Sequence, residues 1–364
     1  MEYNIYSLPN GIRLIHKPVS SLIAHVGLFI NAGSRDETAK EHGLAHYIEH
    51  AIFKGTKKRK SYHIISRLED VGGELNAYTT KEETCIHASF LLDDTERAIE
   101  LISDIAFNST FPEKEIEKEK DVIIDEINSY KDNPSEQIFD DFESMLFSAD
   151  PLGRCILGTP DTVRSFTRND ICNFIKKHYN TNQIVLCYVG NIDSKKLVRY
   201  FIKYFEGIEK SFKSTDRPAV LLNSTTNKIE IKNTFQAHCI IGTTAYSFKD
   251  DKRIALHLLS NYLGGPGMNS KLNMSLRERH GCTYNIESSY TPYIDAGTFM
   301  IYFGTDKENL DKCLSLTFKE LDLLKKNKLG EIQLSKAKKQ LMGQLAIASE
   351  QTPLWPHSVQ SLHF

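Results

Sequence analysis

Apolar and polar residues alternate in two short runs near the start of the chain, YNIYSL and GIRLIHK, with Pro9-Asn10-Gly11 between them. That pattern predicts a hairpin over residues 3–17. The next run, SLIAHVGLFINAG, is almost wholly apolar and is closed by Ala32-Gly33-Ser34, as expected of a strand buried on both faces. Polar residues from Asp36 onward lead into a stretch of helical period that ends near Lys54-Gly55. A second amphipathic helix is predicted over 61–71, stopped at Gly72-Gly73. Residues 74–80 and 84–92 read as paired strands, and 94–107 as a helix with Ala98, Leu101, Ile102 and Ile105 on one face. Pro112 opens a long helix to about Lys131, densely charged but with Ile116, Val122, Ile123 and Ile127 as its apolar set; Asn133-Pro134 ends it. Helices over 135–147 and 168–178 follow, a strand over 183–190 closes the unit, and a helix over 194–206 with the polar stretch 207–228 reads as the connection to what comes next.

The second half of the chain repeats the first. AHVGLFINAGSRDE at 24–37 is echoed by AHCIIGTTAYSFKDD at 237–251, and ASFLLDDTERAIELISDI at 88–105 by MIYFGTDKENLDKCLSLTFKEL at 300–321. The order of elements agrees in both halves, which points to duplication of one unit of strands and helices.

Composition narrows the picture. The 364 residues suffice for two cores, hydrophobic residues make up 40%, and no segment is long and apolar enough to cross a membrane. The first residues lack the basic and apolar regions of a signal or transit peptide, so a cytoplasmic location is expected. A net charge of -2 gives no general attraction for nucleic acid or an anionic membrane, and the basic run Lys57-Lys58-Arg59-Lys60 is expected to be a solvated loop. Seven scattered cysteines with no C-x-x-C pair fit reduced thiols. Gly264-Gly265-Pro266-Gly267 lacks the G-K-[ST] ending of a phosphate loop and reads as a turn.

The candidate chemistry lies in His46-Tyr47-Ile48-Glu49-His50. On a helix, His46 and His50 sit one turn apart on one face with Glu49 close by. Two neutral nitrogens can hold zinc, and a neighbouring carboxylate that does not bind it can accept a proton from water. H-x-x-E-H is the inverted form of the commoner H-E-x-x-H. A row of His42, His46 and His50 along one straight helix would span about 12 Å, too far for a single ion, so His42 is set aside. The helical partner of the pentad in the second half carries Leu256-His257-Leu258-Leu259-Ser260 and is not expected to hold a metal. Catalytic zinc takes three protein ligands, and Glu119 and Glu126 share one face of the charged helix; spacing alone leaves open whether either is a ligand.

The stretches GLAHYIEHAIFKGT, GGELNAYTTKEET, EKEKDVIIDE and LRERHGCTY, in that order, closely resemble the pitrilysin/insulysin (inverzincin) family of zinc metallopeptidases, above all its short bacterial members akin to subunits of mitochondrial processing peptidase. The resemblance implies an α+β fold of two homologous domains, each a mainly antiparallel sheet packed with helices. Here these are a catalytic domain over 1–210 and an inactive one over 229–364. It implies Zn2+ held by His46, His50 and Glu126, with Glu49 as general base and Glu119 supporting the site. It implies that an edge strand with Asn76, Ala77 and Tyr78 holds a peptide or unfolded polypeptide by β-addition, and that Arg277 and Tyr284 face the substrate, with Tyr284 or Arg277 stabilising the oxyanion. A homodimer, or a heterodimer with a related subunit, is implied as the working form. The alternative is a catalytically silent structural subunit. The end of the chain, QTPLWPHSVQSLHF, departs from the family pattern, so the second domain is expected to be incomplete there.

Overall fold

The computed structural model describes residues 3–214, 217–220 and 227–351; the proline- and tryptophan-containing stretch at the end of the chain lies outside the described residues. In chain order the elements are β1 (Asn4–Ser7), β2 (Arg13–Lys17), β3 (Ile23–Ile30), α1 (Leu44–Ala51), α2 (Ser61–Glu69), β4 (Glu74–Thr79), β5 (Thr84–Leu91), α3 (Thr95–Phe107), α4 (Glu113–Lys131) and α5 (Pro134–Leu146). Then come α6 (Pro160–Ser165), α7 (Arg168–His178), β6 (Ile184–Val189), α8 (Ser194–Phe205), β7 (Ala237–Thr244), α9 (Arg253–Gly264), β8 (Asn285–Pro292), β9 (Gly297–Thr305), α10 (Leu310–Lys326) and α11 (Glu331–Gln351).

Two compact units emerge. The first takes the described residues up to Ser129 together with Arg154–Pro218, and the second takes Tyr130–Gly153 with Ala219 onward. The sheet of the first unit runs β1-β2-β6-β3-β5-β4, antiparallel throughout except for β2 beside β6. β6 reads IVLCYV and every residue is buried, because it lies inside the sheet with apolar side chains on both faces. Alternation sends Val26, Leu28, Leu186 and Tyr188 into the main core with the helices, and Ile15, Phe29, Cys85, Val185 and Cys187 into a cluster on the opposite face. In the second unit the sheet is β7-β9-β8, and α5 lies on it, with the Phe139 and Tyr302 ring centroids 5.1 Å apart.

The sequence placed helix 135–147 with the first half, but α5 belongs to the second unit, because Phe139, Phe142 and Phe147 find their apolar partners there. Val122 is exposed and Ile124 buried, since the inward face of α4 follows Ile116, Glu119, Ile123 and Ile127. Arg59 is not solvated with its basic neighbours: its guanidinium donates to Asp104 at 2.6 Å and to Glu100 at 2.8 Å. The expected connection begins as fixed structure, with Arg217 forming a two-pronged ion pair to Asp36 at 2.9 and 2.8 Å. All seven cysteines are free thiols, and Cys172 alone is exposed.

Candidate metal centre

α1 is built to begin abruptly. Gly43 has φ 94°, and a Cβ there would meet the Cα of Gly158 at 2.7 Å, so both the backbone conformation and the space call for glycine. The first amides of the helix have no partners of their own kind. Glu37 supplies them: its carboxylate accepts from Gly43 N–H at 2.8 Å and Ala45 N–H at 2.7 Å. Glu37 is 3% exposed, and burial pushes its pKa up to about 8 although these bonds and Arg154 work against the shift. His42 precedes the helix rather than lying on it, and its Nε2 is 2.8 Å from the Cys155 carbonyl. The row of three histidines on one helix therefore does not exist; His42 stays apart from the pentad for a different reason than helix length.

α1 and α4 are joined by the Tyr47 hydroxyl, which donates to the Ile116 carbonyl. Across this junction His46 Nε2 and His50 Nε2 lie 3.8 and 3.7 Å from one oxygen of Glu126. Among the described residues, these three form the one set of His, Cys, Asp or Glu side chains able to hold a metal ion. Two donors held about 2.0–2.2 Å from tetrahedral zinc are roughly 3.4 Å apart; the three donor atoms here lie within 4.8 Å of one another, so they draw together to hold an ion. The remaining nitrogen of His50 donates to Glu119 at 2.8 Å, which leaves its Nε2 as the lone-pair donor. The other oxygen of Glu119 meets Lys54 at 2.7 Å.

Electrostatics follow this layout. Burial would raise the pKa of Glu119, but the bonds from His50 and Lys54 outweigh it and hold the carboxylate below its usual range. Burial, then the nearby His50, pushes His46 down to about 3, which keeps the ring neutral. Its Nδ1 is buried with no hydrogen-bond partner. Glu49 is the reverse of Glu119: burial raises it, with Thr79 of β4 partly opposing.

β4 is the outer strand of its sheet, paired only with β5. Asn76 is exposed, and its side-chain oxygen accepts from the Ala77 N–H at 2.8 Å. Ala77 is buried, and the Tyr78 ring packs on the cluster of Phe29 and Cys85, its hydroxyl 3.4 Å from Glu83. In the second unit Arg277 is exposed on the π-helical turn Asn273–Arg279, and Tyr284 is 58% exposed with its hydroxyl donating to Asp306 at 3.2 Å. On α9, His257 packs edge-on against Tyr290.

Sequence reasoning missed Lys54 and Glu37. Lys54 follows the pentad on a 3-10 turn, off the helical period used to read it, and Glu37 lies in a loop, where helical spacing says nothing.

Residues 14–160 match the family described as insulinase, peptidase family M16, and residues 165–341 match the peptidase M16 inactive domain. The chain is 34% identical to an uncharacterized zinc protease of Streptomyces coelicolor, over 95% of this chain and 77% of that one. It is 33% identical to an uncharacterized zinc protease of Bacillus subtilis, covering 95% and 84%, and 32% identical to the beta subunit of mitochondrial-processing peptidase of Saccharomyces cerevisiae, covering 94% and 77%. A crystal structure of a protease from Helicobacter pylori superposes with a TM-score of 0.88 at 22% identity, covering all of this chain and 90% of that one. A peptidase M16 inactive domain from Pseudomonas fluorescens does so with the same score at 21% identity, covering 94% and 84%.

Proposed function

Because the chain belongs to the insulinase family, peptidase family M16, we propose that it is a zinc-dependent endopeptidase acting on peptides and unfolded segments. One observation carries the reading: two imidazole nitrogens and the Glu126 carboxylate converge, while the second nitrogen of His50 is held by Glu119. Family relatives are named zinc proteases, and the donor set suits zinc. The metal, when bound, supplies Lewis acidity for attack on a peptide carbonyl. Glu119 fixes the His50 ring and its tautomer, and Lys54 keeps Glu119 charged. Glu49, half-buried one residue before His50 on α1, accepts the proton of the attacking water and returns it to the leaving amine. The raised basicity that burial gives this carboxylate suits both transfers. The open edge of β4 lies against Glu49 through Thr79, and receives the substrate as an added strand, with Asn76 and Ala77 at the edge. A dimer, of this chain or with a related subunit, is the proposed working form. No described helix is long and apolar enough to cross a membrane.

The test is zinc per purified chain together with cleavage of a quenched fluorescent peptide library, with and without chelator, for the parent and Glu49→Gln. The expected result is stoichiometric zinc in both proteins and chelator-sensitive cleavage in the parent alone. Full zinc occupancy without cleavage of any peptide would leave the chain a non-catalytic subunit instead.

A further inference from the structure

The connection that follows α8 is tied to the first unit at two places. At 211–213 it lies along the loop before β6: Thr181 N–H donates to the Ser211 carbonyl at 2.9 Å, and Lys213 N–H donates to the Asn182 side chain at 3.3 Å. Phe212 packs there against the turn between β1 and β2, where a Cβ on Gly11 would meet its ring at 2.5 Å. At 217–218 the connection reaches two further loops, the one between β3 and α1 and the turn between β4 and β5.

At this second place Arg217 and Arg35 face Asp36 and Glu82. The Arg217 guanidinium donates to both oxygens of Asp36 at 2.9 and 2.8 Å and to the Glu82 carbonyl at 2.7 Å. Arg35 donates to the Glu82 carboxylate at 2.7 Å and to the Pro218 carbonyl at 3.3 Å. The four side chains are between 2% and 9% exposed, and two positive charges meet two negative ones. Well-packed apolar residues would hold loops together without the desolvation of four charges. What the ions add is geometry, because a planar fork on a carboxylate fixes direction as well as distance.

Both loops run straight into the candidate site. They are laced together by Ser34 N–H donating to the Thr80 carbonyl at 3.1 Å and Arg35 N–H to the Lys81 carbonyl at 2.7 Å. Gly33 comes so close that a Cβ there would meet the Thr80 oxygen at 2.4 Å. One residue after Asp36 is Glu37, whose carboxylate holds the first amides of α1. One residue before Thr80 is Thr79, the end of β4, which lies against Glu49. Arg217 grips both loops at once from outside them, by Asp36 on the one and Glu82 on the other.

We propose that Arg217 is a positioning residue of the peptidase site: its fork sets the loop at 33–37 against the turn at 80–83, and so sets Glu49 of α1 against a peptide lying along β4. This role rests on the peptidase reading above. The connection is thereby part of the scaffold of the site. The metal donors depend on it less, because α1 is joined to α4 separately by Tyr47 and His50 is held by Glu119. Loss of the fork therefore acts on the chemical step, where a small displacement of a reacting group is costly. It leaves the main-chain edge that receives the peptide and the zinc content largely as they are.

Two variants separate positioning from support of the fold. Arg217→Lys keeps the charge and loses the planar fork. R217A/D36N removes one charge of each sign, so that Arg35 and Glu82 stay balanced while the clamp is gone. Both should fold and take up zinc like the parent, with kcat lower by about tenfold or more and KM within about threefold on a quenched fluorescent peptide. In the metal-free proteins the amides of Ser34 and Arg35 should exchange with deuterium roughly tenfold faster than in the parent, while those of β3 and β5 exchange as before. A kcat per folded, zinc-loaded chain equal to that of the parent would overturn the assignment and leave Arg217 a support of the fold. So would a rise in KM at unchanged kcat, or unaltered exchange at Ser34 and Arg35. A parent that binds zinc and cleaves nothing would overturn it together with the peptidase reading, whereas equal cleavage by parent and variants overturns this assignment alone.

Discussion

Glu119 and Glu126 stand on one helix seven residues apart, yet their surroundings assign them different work. Glu126 offers an oxygen to both Nε2 atoms of the pentad, whereas Glu119 is buried, bonded to His50 Nδ1 and Lys54. Glu126→Gln is therefore expected to abolish stoichiometric zinc binding. Glu119→Gln should retain zinc but bind it about 10–100-fold more weakly, the usual effect of removing a group that orients a ligand. Competition with a chromophoric chelator measures both; the reverse order would exchange the two assignments. Glu37 gives a prediction about pH. Its folded-state pKa, pushed up to about 8 from 4.5 by burial, means the folded chain keeps a proton that the unfolded chain releases in between. The stability this group contributes is complete below about 4.5 and lost as pH rises through 8. Urea melts of the parent and Glu37→Gln should show the advantage of the parent shrinking across that window, and a constant difference would count against it. The pentad and both glutamates could be read from spacing because helices make spacing geometric. Which glutamate meets the metal could not, since both face the same way and only packing against Lys54 and His50 separates them.

At the scale of elements, the site depends on how α1 meets α4. The bond from Tyr47 to the Ile116 carbonyl lies within the core between them. Tyr47→Phe keeps the ring and removes a second bond to a carbonyl that α4 already pairs, at a cost of about 0.5–1.5 kcal/mol. Zinc affinity should fall with it, as the two halves of the donor set lose their fixed separation; unchanged affinity alongside the lost stability would show that α1 and α4 are aligned by apolar packing alone. Gly43→Ala is expected to be worse, because positive φ and the contact with Gly158 act together. Strands and helices were largely legible from period, since buried strands read as apolar runs and helices as striped ones. The start of α1 was not, because it is set by a glycine conformation and a carboxylate from the loop before it.

The chain holds two units of one design, and among the described residues the metal-binding set lies in the first alone. The assignment of α5 to the second unit could not be read along the chain, as the helix follows α4 after a two-residue break and its partners lie some 150 residues later. The apolar cluster of the first unit is large and continuous around the metal donors, of which His46 is buried and His50 and Glu126 are half-buried. Chelation should therefore leave the far-ultraviolet circular dichroism unchanged. Zinc at a thousandfold excess over its Kd should add about 4 kcal/mol to stability, read as a higher Tm. Collapse of the spectrum on chelation would mean that the metal is needed for folding.

The position of β6 reaches beyond the finished molecule. It separates β2 from β3, yet it is made after both, with Ile30 and Ile184 on either side of the gap. At about 5–20 residues per second, a ribosome takes roughly 10–30 seconds to cross that interval. Through all of it the centre of the sheet cannot close, and β2 and β3 wait on the nascent chain with their inner edges bare. The first unit is thus a late folder by topology, and its need for chaperone protection is greatest before the last of its strands has left the ribosome.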